Sequence, residues 1–128
     1  MLIPVNSQLN GTLNSTGAAF YTVTLRNGYN LPINNLAAEM SFVGPPGCPI
    51  TPEQVYASEI HINYLNGGNT VPPNEEVVII ATITTDNAPT SCQGAPFMLV
   101  APSISVQFQF VGGPPTYNAQ VLMFTIMP

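Results

Sequence analysis

Proline and glycine interrupt this chain more often than a helical protein would tolerate. The 128 residues include 14 prolines and 10 glycines, spread along the whole length. Proline removes a backbone donor and glycine destabilises regular elements, so both favour turns. No window shows apolar residues at the three-and-four spacing of a helix. The sequence therefore predicts short regular segments that are separated by turns.

The segments between the turns alternate apolar and polar residues with a period of two, which is typical of half-buried β-strands. The stretch from Val77 to Thr84 differs because it begins apolar on both faces, and this predicts a central strand. We therefore predict an all-β fold, a single antiparallel β-sandwich, immunoglobulin-like or jelly-roll-like, with about seven to eight strands. The predicted strands are Leu2–Leu9, Ala19–Arg26, Leu36–Phe42, Glu59–Tyr64, Val77–Thr84, Ile104–Phe110 and Ala119–Met127.

The N-terminal segment is the feature most suggestive of assembly. Residues 1–17 are predicted to form a strand and a connector, and residues 18–128 the sandwich. The strand carries no charge, and the residues up to Gly17 are rich in Asn, Gly, Ser and Thr. It can complete the sheet of a neighbouring copy as a donor strand, or fold back as the first strand of its own sandwich, which is slightly favoured for one chain. The apolar residues of this possible assembly strand are Leu2, Ile3, Val5 and Leu9.

Charged residues make up only 5% of the chain, against about 25% in an average soluble protein. Six carboxylates face one cation, Arg26, so no basic surface exists for phosphates, and nucleic acid is excluded as a partner. No run approaches the ~20 apolar residues of a membrane span, and we expect no membrane insertion. A neutral polar surface costs less to desolvate than a charged one, which favours packing against copies of itself.

Residues that could carry chemistry are few. His61 lies between Ile60 and Ile62, so strand alternation turns it toward solvent, where it needs no function. Glu75 and Glu76 with the more distant Asp86 match no calcium loop. We expect no catalytic residue, no metal site and no cofactor, and therefore a protein that is not an enzyme.

Two kinds of motif bear on the environment. Cys48 and Cys92 lie in Gly- and Pro-rich segments and predict a disulfide, with free thiols as the alternative. Asn10 and Asn14 begin Asn-X-Thr sequons and are possible glycosylation sites. The first residues lack the basic and apolar regions of a signal peptide, so we expect a mature form or export by another route, as in a virion.

Three segments resemble immunoglobulin-like domains of archaeal surface-layer and secreted proteins. The run from Tyr21 to Leu36 is similar to their second and third strands, where a strand ends in Asn-Gly. The run from Tyr64 to Ala81 is similar to their turn before an apolar strand, and the run from Ser91 to Phe97 to the turn before their final strands. The resemblance implies an Ig-like sandwich displayed outside a cell, as in surface layers, pili and threads.

These observations favour a non-enzymatic, self-assembling structural subunit of an archaeal surface filament, a pilus or thread. A virion structural protein (coat, turret or spike) is one alternative, and a secreted carbohydrate- or protein-binding module is another. The expected partners are copies of itself and other surface or virion proteins. The expected location is extracellular, on the cell surface or in a virion.

Overall fold

Antiparallel strands form nearly all of the regular structure. The computed structural model describes residues 1–10, 18–43, 56–84, 100–113 and 118–123. Within these ranges there is no helix, and hence none long and apolar enough to cross a membrane. The strands are β1 Leu2–Asn10, β2 Ala18–Asn27, β3 Ile33–Val43, β4 Tyr56–Tyr64, β5 Thr70–Val71, β6 Glu76–Thr84, β7 Val100–Phe110 and β8 Asn118–Met123.

The strands build two four-stranded sheets. The first sheet has the order β1-β2-β6-β4 and the second has β5-β3-β7-β8. Without the two-residue β5, this is the arrangement of constant-type immunoglobulin domains, in which strands A, B, E and D face C, F and G. The prediction of an all-β antiparallel sandwich is confirmed, and of its two versions the strand order matches the immunoglobulin-like one. The predicted central strand is also confirmed, since β6 lies between β2 and β4.

Alternate residues of the strands fill the space between the sheets. On β2, Tyr21, Val23 and Leu25 point inward, as their spacing predicted, while Thr22 and Thr24 lie on the outer face. Burying one such apolar side chain completely contributes about 1.5–3 kcal/mol. The fully buried core also includes Leu2, Ile33, Val71, Val77, Ile79, Ala81, Ile83, Ile104, Val106 and Phe108.

Strand β1 pairs with β2 of the same chain. The pairing runs from Leu2 opposite Asn27 to Asn10 opposite Phe20, with a register shift between Pro4 and Asn6. Leu2 is fully buried in the core. In the single chain, residues 2–10 therefore belong to the sandwich itself.

Two irregularities change which residues face inward. Asn35 has a positive φ of 54°, and the register of β3 against β7 shifts between Asn34 and Ala37, so Ile33 and Leu36 are both buried despite their odd spacing. On β4 a shift between Ala57 and Glu59 leaves Ser58 as the extra residue. Neither bulge was predicted from the sequence.

The loops at one end of the sandwich are tied together by the buried side chain of Asn27. Its Nδ2 donates to the carbonyl oxygens of Leu31 and Val71, each at 3.0 Å. Its Oδ1 accepts from the Tyr29 amide at 2.9 Å. The Asn27 backbone also pairs with the β5–β6 loop, donating to the Glu75 carbonyl at 2.9 Å. One amide thus satisfies three backbone groups, two from the β2–β3 loop and one from β5.

Aromatic packing supports the same end. The Tyr29 ring lies 5.4 Å from that of Phe108 and 5.0 Å from that of Phe110, measured between centroids. The edge-to-face geometry of the Tyr29–Phe110 pair is a favourable one, worth roughly 0.5–1.5 kcal/mol beyond area burial.

We expect Asn27→Ala to lower the free energy of unfolding by about 3 kcal/mol, because it leaves buried backbone groups without partners. Chemical denaturation measures the change. The matched control is Asn30→Ala in the adjacent loop, an exposed position where we expect a change within about 0.5 kcal/mol. Equal stability of the two variants would contradict the role given to Asn27.

Two tyrosines in the core differ in how their hydroxyls are satisfied. The Tyr64 hydroxyl accepts a hydrogen bond from the Leu36 amide at 3.0 Å, beside the β3 bulge. The buried Tyr21 hydroxyl has no hydrogen-bond partner among the described residues. Burial raises the pKa of Tyr21 above its ordinary value of 10.0, and the nearby Ser7 hydroxyl offsets only part of that effect.

The two tyrosines therefore predict opposite results for the same change. Tyr64→Phe should lower the free energy of unfolding by about 1 kcal/mol, whereas Tyr21→Phe should leave it unchanged or raise it by up to about 1 kcal/mol. The raised pKa means that the unfolded chain ionises Tyr21 first. Ionisation of Tyr21 therefore leaves the free energy of unfolding unaffected below about pH 10 and lowers it as the pH rises further. Denaturation across this pH range should show a shallower decline for Tyr21→Phe than for the parent, and an identical decline would contradict the assignment.

Candidate interaction surfaces

The predicted assembly residues of β1 divide between the core and the surface. Leu2 is buried, whereas Ile3 and Val5 are 37% and 39% exposed. The side chain of Leu9 lies outside the described part of the structure. We call Met1, Ile3 and Val5 the β1 patch. These three residues are exposed and apolar, and they lie at the start of β1, the outermost strand of the first sheet, or just before it.

Gly28 fixes the start of β1 against the β2–β3 loop. Its amide donates to the Met1 carbonyl at 2.8 Å, and the Ile3 side chain lies over it. A Cβ atom at position 28 would lie 2.6 Å from the Met1 oxygen, closer than real contacts allow. A glycine is therefore required for β1 to pack this closely, and this packing holds Ile3 at the surface.

More exposed apolar side chains lie on the loops at the Asn27 end of the sandwich. They are Leu31 in the β2–β3 loop, Leu65 after β4 and Val111 after β7. The Val111 amide donates to the Pro32 carbonyl at 2.9 Å, which holds Val111 beside the β2–β3 loop. The β2–β3 and β7–β8 loops correspond to the loops that carry binding residues in immunoglobulin variable domains.

A shallow concavity lies on the outer face of the first sheet, far from the β1 patch. It has a volume of about 520 Å³ and is lined by Phe20, Glu59, Ile60, His61, Ile80 and Thr82. The register explains this grouping, because Thr82 is opposite Phe20 on one side and Glu59 on the other. Phe20 is 54% exposed. We call this the Phe20 concavity.

The β4 bulge positions the polar rim of this concavity. With Ser58 as the extra residue, Ser58 and Glu59 both face outward, followed by His61, while Ile60 and Ile62 turn toward the core. The Ser58 hydroxyl donates to the Thr82 carbonyl at 3.3 Å and accepts from the Thr84 hydroxyl at 2.9 Å. His61 is exposed, as its position between two isoleucines predicted.

The cation Arg26 lies at the opposite end of the same face. Its guanidinium is 3.6 Å from the Glu76 carboxylate, across the β2–β6 pair. Both side chains are partly exposed, so this ion pair contributes at most about 1 kcal/mol.

The outer face of the second sheet is polar and mostly neutral. The amides of Asn69, Asn35 and Gln109 form a chain of hydrogen bonds across β3 and β7, at 3.2 and 2.8 Å. Beyond them is a small depression of about 130 Å³ lined by Ala37, Ser105, Gln107 and their neighbours, with Glu39 as its charged residue.

The structure brings no catalytic constellation together within its described ranges. No group of three or more His, Cys, Asp or Glu side chains there could hold a metal ion. Glu76 is engaged by Arg26. Asn10 is the last residue of β1, and its side chain is not among those described.

Several predicted residues lie outside the described ranges. These are Cys48, Cys92, Asn14 and Asp86. The disulfide and the glycosylation sites therefore stay predictions, as does the expectation that the protein is not an enzyme.

Comparison with known proteins supports the architecture. No protein-family model matches the chain, and no curated protein sequence matches it. Among solved structures, the GAE domain of GGA2p from Saccharomyces cerevisiae is similar, with a TM-score of 0.52 at 16% identity, covering 99% of this chain and 98% of that one. The GAE domain of yeast GGA1 gives a TM-score of 0.48 at 12% identity over the whole of both chains.

At this identity the likeness to the GGA2p domain shows a shared β-sandwich fold and nothing more specific. It does not bear on the archaeal part of the resemblance, which stays a prediction.

The sequence alone did not single out Phe20 as a site residue, although strand alternation placed its side chain on the face of β2 away from Tyr21. Phe20 lines the concavity together with Glu59, which is 39 residues away in sequence. The pairing of β2 and β4 with β6, and the bulge in β4, place both residues opposite Thr82. The Asn-Gly pair at 27 and 28 marked the strand end. It did not reveal that Asn27 is buried or that the start of β1 packs against Gly28.

Proposed function

We propose that this domain is a non-catalytic structural subunit that associates with copies of itself through the β1 patch. The observation that carries the proposal is the exposure of Ile3 and Val5 on an outermost strand whose nine residues include no charge. Strands at the edge of a sheet are usually protected by charged side chains, particularly lysine. This strand has Pro4 and a bulge for protection instead.

The distribution of charge is consistent with this contact. The chain carries a formal charge of −5, which opposes association in general. However, Glu39 and Glu59 belong to β3 and β4, away from the β1 patch, and the charge of Glu76, which is nearer, is balanced by Arg26 opposite Ile3. Copies meeting through β1 would bury apolar and neutral polar groups, whose desolvation costs less than that of charges.

The proposal includes the kind of assembly and its location. An extracellular filament of donor-strand type is the form favoured by the charge-free N-terminal strand, and a virion coat, turret or spike is the alternative. In a donor-strand polymer, the contacts that β1 makes with β2 in the single chain would be made with the next subunit. Residues 11–17 connect the two strands and span at most about 25 Å when extended.

A binding module is the second candidate. The observation that favours it is the exposure of Leu31 and Val111 on the loops at the Asn27 end, where sandwich domains commonly carry binding residues. Under this proposal the protein remains monomeric and uses its loops to bind a protein or a carbohydrate.

The test of self-association uses the double variant Ile3→Ser with Val5→Thr. Both side chains are on the surface, so we expect the variant to fold. Its dissociation constant for self-association should rise about tenfold or more, because the apolar contact is lost from both copies. Sedimentation velocity and negative-stain electron microscopy measure the change. Deleting residues 1–12 is a poorer test, since it also removes the buried Leu2.

The matched control is Leu65→Ser. Leu65 is 57% exposed but follows β4, at the other edge of the first sheet. It should leave assembly unchanged. A parent that is monomeric at high concentration would contradict the proposal and favour the binding module. A double variant that assembles as well as the parent would contradict association through the β1 patch.

A cross-linking experiment separates the donor strand from the folded-back strand. Gln8 and Thr22 are opposite each other in the β1–β2 register. Chains carrying Gln8→Cys alone are mixed with chains carrying Thr22→Cys alone, unfolded together and allowed to assemble. If β1 is exchanged, disulfide-linked pairs joining positions 8 and 22 should form, as detected by peptide mass mapping. Assembled protein without this cross-link would contradict the donor-strand form and leave association through the folded-back strand.

A further inference from the structure

We propose that the Phe20 concavity binds an extended peptide segment of another protein, one that carries a large apolar side chain close to a lysine or arginine. This inference is independent of self-association, because the concavity is a different surface from the β1 patch. Phe20 and Arg26, which is opposite Ile3, are six residues apart on β2, a separation of about 20 Å.

The apolar half of the concavity is a platform rather than a pocket. The Phe20 ring is more than half exposed, and Ile80 lies beside it on the central strand β6. Outer-face strand positions in a sandwich normally carry polar residues. An exposed aromatic ring next to an aliphatic floor provides the flat apolar area on which a leucine or aromatic side chain gains contact.

The polar half supplies a negative charge in a defined place. Glu59 is exposed on the rim, where the Ser58 bulge turns it outward, and it has no ion-pair partner among the described residues. Phe20 and Glu59 are both opposite Thr82, so they lie two strands apart, about 10 Å. In an extended peptide, residues i and i+2 face the same side about 7 Å apart, and a lysine side chain spans the remaining distance.

The charge of this chain favours a different protein over a second copy as the occupant. The whole sequence contains one Lys or Arg, and that residue, Arg26, already pairs with Glu76. A copy would bring mainly further carboxylates toward Glu59. The positive group that matches this rim is therefore assigned to a different protein.

The experiment measures binding of end-blocked, dye-labelled peptides to the full chain by fluorescence anisotropy at low ionic strength. The probe is Gly-Ser-Leu-Ser-Lys-Ser-Gly. One comparison peptide replaces its lysine with glutamate, and a second replaces its leucine with serine. We expect the probe to bind about threefold or more tightly than either, since exposed charge pairs contribute modestly. Added salt should reduce the preference for lysine.

Variants of the protein assign the contacts. Glu59→Gln should abolish the preference for lysine over glutamate, whereas Glu39→Gln, an equal loss of charge on the outer face of the second sheet, should preserve it. Phe20→Ser should weaken binding of the two peptides that contain leucine, the probe and the glutamate peptide. Phe20→Leu should bind them about as well as the parent does. Circular dichroism of each variant checks that the fold is intact.

Three results would each overturn the inference. Absence of probe binding up to about 1 mM protein overturns the inference. Equal binding of the lysine and glutamate peptides does so as well, and so does an equal effect of Glu59→Gln and Glu39→Gln. Self-association is measured separately by sedimentation of Phe20→Ser, which should assemble like the parent, so failure of one proposal leaves the other standing.

Discussion

The Asn27 side chain is buried, so each of its polar atoms must find a partner within the protein. Its three partners come from the β2–β3 loop and from β5, and its backbone reaches the β5–β6 loop. These segments are therefore fixed relative to one another. The next residue, Gly28, supports the start of β1, so the position of Ile3 at the surface depends on the same anchor.

The alternation of residues was sufficient to predict most of the fold. In β2 the period-two pattern predicted the buried face, because the strand is regular, and in β6 the apolar residues on both faces predicted its central place in the sheet. Where a strand contains a bulge, the pattern fails. Ile33 and Leu36 are three residues apart, and only the partner strand β7 and the left-handed Asn35 explain why both point inward. A bulge is a property of a pair of strands, so one strand's sequence does not show it.

The interaction surfaces were less accessible to prediction for the same reason. The apolar, charge-free character of β1 was visible in sequence, but which of Leu2, Ile3 and Val5 reaches the surface follows from its register on β2. The Phe20 concavity draws side chains from three strands, and only β6 makes them neighbours.

The extra residue in β4 also affects how its gene can change. Substitutions along this strand alter one side chain at a time. Loss of the Ser58 codon would remove the bulge, yet Ala57 and Glu59 would keep their partners Ile83 and Thr82, so every later residue would stay on its present face. Loss of the Ile60 codon would instead, with the upstream pairing kept, turn His61 toward the core and Ile62 toward water. The strand can thus lose a residue at the bulge, while the length of its regular part is fixed by the number of residues needed to keep its two faces apart.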